Sequence, residues 1–195
     1  MHTATLAPII TSKTRRAVLQ LFFQNPGDSY YLREVVRKTS EEVNAVKREL
    51  DILTEGKVLE SERRLNKMFF RVNKTYVFME EFIRMFAKQS TLAQLIRENV
   101  QKLGKVKAIA LSLKFARHID IKADEIYVLG VGTIVLPELA QIMSTCEQDF
   151  GREINYTVMT EEELTFRKRN NDPFIGKFLK TPKVMIVGSE EELLK

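Results

Sequence analysis

Apolar residues in the first half of the chain recur at the three- and four-residue steps of helices buried along one side, give way to alternation, then return to helical spacing. Within residues 12–23, Val18, Leu21 and Phe22 share a face, Thr11 or Ser12 offers an N-cap, and Asn25, Pro26 and Gly27 stop the helix. Residues 31–37 predict a second, short helix with Leu32, Val35 and Val36 inward. Val43, Val46, Leu50 and Leu53 predict a third; Thr39 and Glu42 have capping-box spacing at its start, and Gly56 ends it where a left-handed cap is cheap. Residues 58–63 and 68–72 alternate as strands do, with Arg64, Leu65, Asn66 and Lys67 as the tip of the ribbon. Residues 76–86 are apolar at Val77, Phe78, Phe82, Ile83 and Phe86, more than one packing face needs, and so ask for a second surface.

The rear half alternates in type. Helical spacing over residues 91–103 ends at Gly104; strands are predicted at 107–113, 125–131, 154–159 and 183–188, helices at 136–150 and 161–170, and a short segment after Pro173. The chain divides near Ser90, into residues 1–89 and 90–195, and the fold class is α+β: a helical module with a ribbon, then a small α/β unit. No internal repeat or low-complexity stretch is present.

Charge sharpens this division. The formal net charge is +5. Residues 1–90 hold 16 Lys and Arg against 11 Asp and Glu, while residues 91–195 hold 15 of each, so the whole excess lies in front. A polyanion is the simplest partner for that half. The third helix carries Glu41, Asn44, Ala45 and Arg48 opposite its apolar stripe, in the half that would enter a major groove first. Arg33, Lys38, Lys47 and the ribbon's Arg63, Arg64, Lys67 and Arg71 are candidates for phosphate. Glu41 and Glu42 suit capping and the helix dipole, at the cost of repelling phosphate. Glu41 also has the chemistry to accept from a cytosine amino group.

Cys146 is the sole cysteine, which excludes an intramolecular disulfide and a cysteine-based zinc site; within an amphipathic helix it reads as a core residue. With no stretch resembling a signal peptide or an uninterrupted apolar span, a soluble cytoplasmic protein is expected. His118 reads as a structural or surface histidine and His2 as part of a frayed terminus.

The segments SKTRRAVLQLFFQNPGDSYYLREVVRKT, VKRELDILTEGKV and RRLNKMFFRVN resemble winged helix-turn-helix transcriptional regulators of the ArsR-like kind, over residues 10–75. The resemblance implies double-stranded DNA as partner; reading two half-sites calls for a homodimer, with the surplus apolar surface of Phe78, Phe82, Ile83 and Phe86 as the candidate seam. The rear half is similar to the minimal nucleotidyltransferase domain that some of these regulators carry behind the winged helix, through FAR at Phe115, Ala116 and Arg117, GREIN at 151–155, NDPFIGKFL and KVMIVG.

An active member of that family has a Gly-Ser pair just before the FAR-like stretch and an Asp-x-Asp opening the next strand, which cradle nucleotide phosphates and hold magnesium. Here Leu113 and Lys114 stand for the pair, and Ala123, Asp124, Glu125, Ile126 and Tyr127 for the carboxylates; Asn155 stands where a third carboxylate is expected. No register restores Asp-x-Asp. If Asp124 and Glu125 are adjacent on a strand, their side chains diverge and cannot share one metal. No metal and no cofactor is therefore expected, and Lys114, Arg117, Asp124 and Glu125 are candidates for a vestigial nucleotide site. The expectation is a DNA-binding regulator whose rear domain is a catalytically lapsed pseudo-nucleotidyltransferase used for dimerisation, for sensing a nucleotide or protein effector, or for docking. The alternative is an active nucleotidyltransferase with an unorthodox metal site.

Overall fold

The computed structural model describes residues 5–122 and 124–194, so His2 and Ala123 lie outside the described residues. Two compact units form, Met1–Ala87 and Lys88–Lys195.

The first unit runs α1 (Lys13–Gln24), β1 (Ser29–Tyr31), α2 (Leu32–Thr39), α3 (Val43–Glu55), β2 (Leu59–Arg64), β3 (Lys67–Val72) and α4 (Met79–Ala87). Three helices followed by an antiparallel ribbon is the winged helix-turn-helix layout, with β1 added to the far side of β3. Ser12 caps α1 by accepting from the Arg15 amide. Val18, Phe22 and Phe23 are fully buried, as are Val35 of α2 and Val46 and Leu50 of α3, and α1 packs on both of those helices. The α2–α3 turn is made by Ser40 in the left-handed region (φ 56).

Several expectations are corrected at the third helix. Thr39 does not cap it: the Thr39 hydroxyl donates to Val35 O at the end of α2. Glu42 is the N-cap, accepting from the Ala45 amide at 2.8 Å. Val43 is 44% exposed, because the buried stripe is Val46, Glu49, Leu50 and Leu53. Gly56 has an ordinary φ of −72, and Lys57 takes the left-handed position instead. The candidate seam is also corrected: Ile83 and Phe86 are buried, and Phe86 stacks on Phe23 at 5.9 Å. Helix α4 thus spends its best apolar face on the core, leaving Val77 and Phe78 exposed and Phe82 half-covered.

The second unit runs α5 (Thr91–Glu98), β4 (Gly104–Ser112), α6 (Leu113–Ala116), β5 (Val128–Ile134), α7 (Leu136–Phe150), β6 (Tyr156–Met159), α8 (Glu161–Arg169), α9 (Pro173–Lys180), β7 (Lys183–Val187) and α10 (Glu190–Leu194). The sheet order is β6-β5-β4-β7; β4 is antiparallel to β5 and β7, and β5 is parallel to β6. Ala108, Ala110, Leu129 and Val131 share one face and form a core with Leu164 of α8, Ile175 and Phe178 of α9 and Leu193 of α10. The alternate residues Ile109, Leu111 and Val128 are also buried, so both faces are covered, and α5 and α7 pack together. Gly132 permits the β4–β5 approach: at φ 132, a Cβ there would lie 2.3 Å from Lys105 O. Cys146 is wholly buried, and burial pushes its thiol up to about 11, which keeps it a core residue.

Candidate nucleic-acid interface

The exposed side of α3 carries Asn44, Lys47, Arg48, Asp51 and Glu55, since these positions lie opposite Val46, Leu50 and Leu53 on the helical wheel. Its first two turns are thus polar and cationic, its last two acidic. Ala45 is half-buried at the edge of this face.

Glu41 does not stand free on that face. It accepts from Lys13 Nζ at 2.9 Å and Thr14 Oγ1 at 3.0 Å, with a side chain 11% exposed, and Lys13, then the Thr14 hydroxyl, hold its carboxyl below the ordinary glutamate range. The base-reading role assigned to Glu41 is therefore corrected: it is a tether to α1. Glu42 is held low too, by the Asn44 and Ala45 amides, so its charge is spent on the cap. Sequence reasoning missed Glu49, 8% exposed on the buried side of α3. It accepts from Ser12 Oγ at 3.1 Å and Arg15 Nε at 2.7 Å, fastening α3 to the start of α1. The signal lay in the spacing, since Glu49 falls between Val46 and Leu53 on an otherwise apolar stripe.

On the ribbon, the register places residues 60, 62, 64, 67, 69 and 71 on one face and 59, 61, 63, 68, 70 and 72 on the other. The first face neutralises itself in part. Arg71 pairs with Glu60 at 2.7 Å and Arg64 with Glu62 at 2.8 Å; Arg64 also lies over the Phe69 ring at 5.2 Å. Lys67 stands 4.0 Å above the Tyr31 ring. Arg63 is exposed on the opposite face, across from Met68. Only Leu65 and Asn66 join the strands, a tighter tip than the four residues expected, because Arg64 and Lys67 pair with each other.

A cleft of about 600 Å³ opens between α2, α3 and the ribbon. Arg33 from the first turn of α2, Lys47 from α3, and Asn66 and Lys67 from the ribbon stand around it, with Leu32, Leu50, Met68 and Phe70 as its apolar lining and Asp51 as its one acidic member. The structure thus brings Arg33, Lys47 and Lys67 together beside Asn44 and Arg48. Lys38 does not line it; it lies over the Tyr30 ring at 5.4 Å in the last turn of α2. Arg64 and Arg71 do not line it either.

In the second unit, Asp124 and Glu125 lie in the turn before β5, not on a strand. Glu125 accepts from Lys114 Nζ at 2.8 and 2.9 Å, and Asp124 from Lys177 Nζ. Both carboxyls are held below their usual range, Glu125 by Lys114 and Asp124 by Lys177. The two carboxylates bond different lysines, and strand alternation plays no part because neither residue lies on a strand. Lys114 is thereby taken from any bare anion site. Arg117 closes the single turn of α6, donating its amide to Leu113 O, and His118 follows in the left-handed region at φ 55. Leu113 is buried with its amide bonded to Pro182 O, and Asn155 O accepts from the Tyr127 and Val128 amides. Sequence reasoning also missed Arg152, whose guanidinium lies 4.5 Å from the Phe115 ring and donates to Phe115 O, tying the GREIN segment to the FAR turn. Among the described residues no three His, Cys, Asp or Glu side chains gather as a metal site would require, and no helix is long and apolar enough to cross a membrane.

No family model matches the chain, and neither does any curated protein. Among solved structures, the chain is similar to the solution NMR structure of a homodimeric winged helix-turn-helix DNA-binding domain (fragment 1–100) from Mycobacterium bovis, described as a possible ArsR-family transcriptional regulator. The identity is 17%, the match covers 51% of this chain and 92% of that one, and the TM-score of 0.29 is too low to carry an argument.

Proposed function

We propose that this chain is a DNA-binding transcriptional regulator of the cytoplasm whose first unit holds duplex DNA across the α3–ribbon cleft. The convergence of Arg33, Lys47 and Lys67 from three separate elements around one cleft carries this reading. A phosphate strand lying there would meet three cations and the positive end of the α2 dipole, while the first two turns of α3 present Asn44 and Arg48 to base edges. Glu55 disfavours phosphate at the last turn of α3, and Asp51 within the cleft offsets part of the charge of the three cations. Gel shifts with a pool of random duplexes test the reading: the unaltered chain should retard DNA and the Arg33→Ala/Lys47→Ala/Lys67→Ala variant should not. Equal retardation by both would sink it.

The second unit, on this reading, is a lapsed nucleotidyltransferase-like domain that serves dimerisation, effector sensing or docking. What supports the lapse is that Lys114 and Lys177 sit on the only carboxylates in the right stretch, where a divalent cation would have to be. Incubation with labelled nucleoside triphosphates, magnesium or manganese and candidate acceptors should release no pyrophosphate above a heat-killed control. Product that vanishes in Asp124→Ala or Glu125→Ala would restore the enzyme reading.

A further inference from the structure

Leu65 is 95% exposed, the most exposed large apolar side chain among the described residues, and it stands at the tip of the ribbon. Its φ is 53, in the left-handed region that glycine and asparagine occupy cheaply and leucine does not. A two-residue hairpin tip normally draws asparagine or glycine to such a position. The chain instead keeps an apolar residue where it pays both in strain and in water contact, an arrangement characteristic of functional sites. The neighbours are Arg63 and Arg64 before it and Asn66 and Lys67 after it, so the leucine is an apolar point with cations on both ribbon faces, Arg63 on one and Lys67 with the Glu62-paired Arg64 on the other.

That combination fits one surface chemistry. A tip only two residues across matches the roughly 6 Å width of a minor groove, the flanking cations match the phosphates on its two rims, and an apolar side chain at the apex suits entry between base steps. We infer that Leu65 is a minor-groove wedge: it enters the groove beside the site of α3 and partly unstacks a flexible pyrimidine–purine step, adding shape selection to the base contacts of Asn44 and Arg48. The inference rests on the DNA-binding reading above and goes beyond it by naming the groove, the residue and the kind of step chosen.

The experiment uses the full chain and a duplex that the unaltered chain recovers from a randomised pool, with 2-aminopurine placed in turn at each step on either side of the α3 site. Binding of the unaltered chain should raise the fluorescence at one step, reporting unstacking. Leu65→Gly should fold with undiminished thermal stability, since glycine is at ease at this φ, yet lose the fluorescence rise and about tenfold in affinity. Leu65→Met, which keeps the apolar reach, should retain both. If Leu65→Gly matches the unaltered chain in affinity and fluorescence, the wedge is refuted while the DNA reading stands. Should Leu65→Gly alter only the sedimentation of the free protein, the leucine belongs to a protein contact and the wedge is equally refuted. A folded, unaltered chain that retards no duplex refutes both.

Discussion

Glu49 illustrates how single residues divide labour on α3. With 8% of its surface exposed and bonds from Ser12 and Arg15, it is a charge held inside the first unit by two donors on another helix. Removing it leaves the Arg15 guanidinium and the Ser12 hydroxyl without their acceptor, so Glu49→Ala should cost about 2 to 3 kcal/mol in urea denaturation. A change within a few tenths would mean that the tether is idle. Asn44 and Arg48 are exposed on α3, where the only structural group they address is the Glu42 cap, so their alanine variants should melt close to the unaltered protein. Each should instead lose about 1 to 3 kcal/mol of discrimination between the selected duplex and random sequence. An equal drop in affinity on both duplexes would show that neither residue reads bases.

At the scale of elements, the cations of the first unit are not equivalent. Arg64 and Arg71 have glutamates across or along the strand, whereas Lys47 and Arg33 line the cleft without an ion pair among the described residues. Lys47→Ala and Arg33→Ala should each reduce the slope of log affinity against log salt by about one, on every sequence, and Arg71→Ala by clearly less, because its charge is already met by Glu60. Identical slopes for the three variants would refute this ordering. The sequence displayed these cations as residue types and placed most of their elements. Helix α7 was legible to the residue because its apolar stripe is complete and Gly151 closes it at φ 65. Helix α5 stops at Glu98 and not at Leu103, since Asn99 and the turn after it mimic the helical period while Leu103 is buried from outside the helix. Strand β1 is three residues whose only signature is pairing with β3, and α9 hid behind Pro173, which starts a helix as readily as it breaks one. The partners of Glu41, Glu49, Asp124 and Glu125 come from elements 11 to 53 positions away, and no local pattern announces them.

For the whole molecule, the same carboxylates set an acid limit. Glu41 and Glu42 in the first unit, and Asp124, Glu125 and Asp172 in the second, are all held below their ordinary values, by Lys13, by the amides at the start of α3, by Lys177, by Lys114 and by the amides of α9 respectively. A carboxyl whose folded value is depressed binds its proton more readily in the unfolded chain. Its contribution is therefore fully present above the unfolded value, ordinarily 4.5 for glutamate and 3.8 for aspartate, and is lost as pH falls through the lower folded value. Both units share this sign, so acid should weaken them together. The melting temperature should hold steady from pH 7 to about 5.5, then fall progressively below 4.5. Glu41→Gln with Glu125→Gln should lower it at pH 7 and flatten the acid limb, because two of the groups that titrate are gone. Thermal melts followed by circular dichroism at half-unit steps of pH check both halves of this expectation. A melting temperature that stays constant down to pH 3, or a double variant as steep in acid as the unaltered chain, would mean that these pairs do not hold the fold.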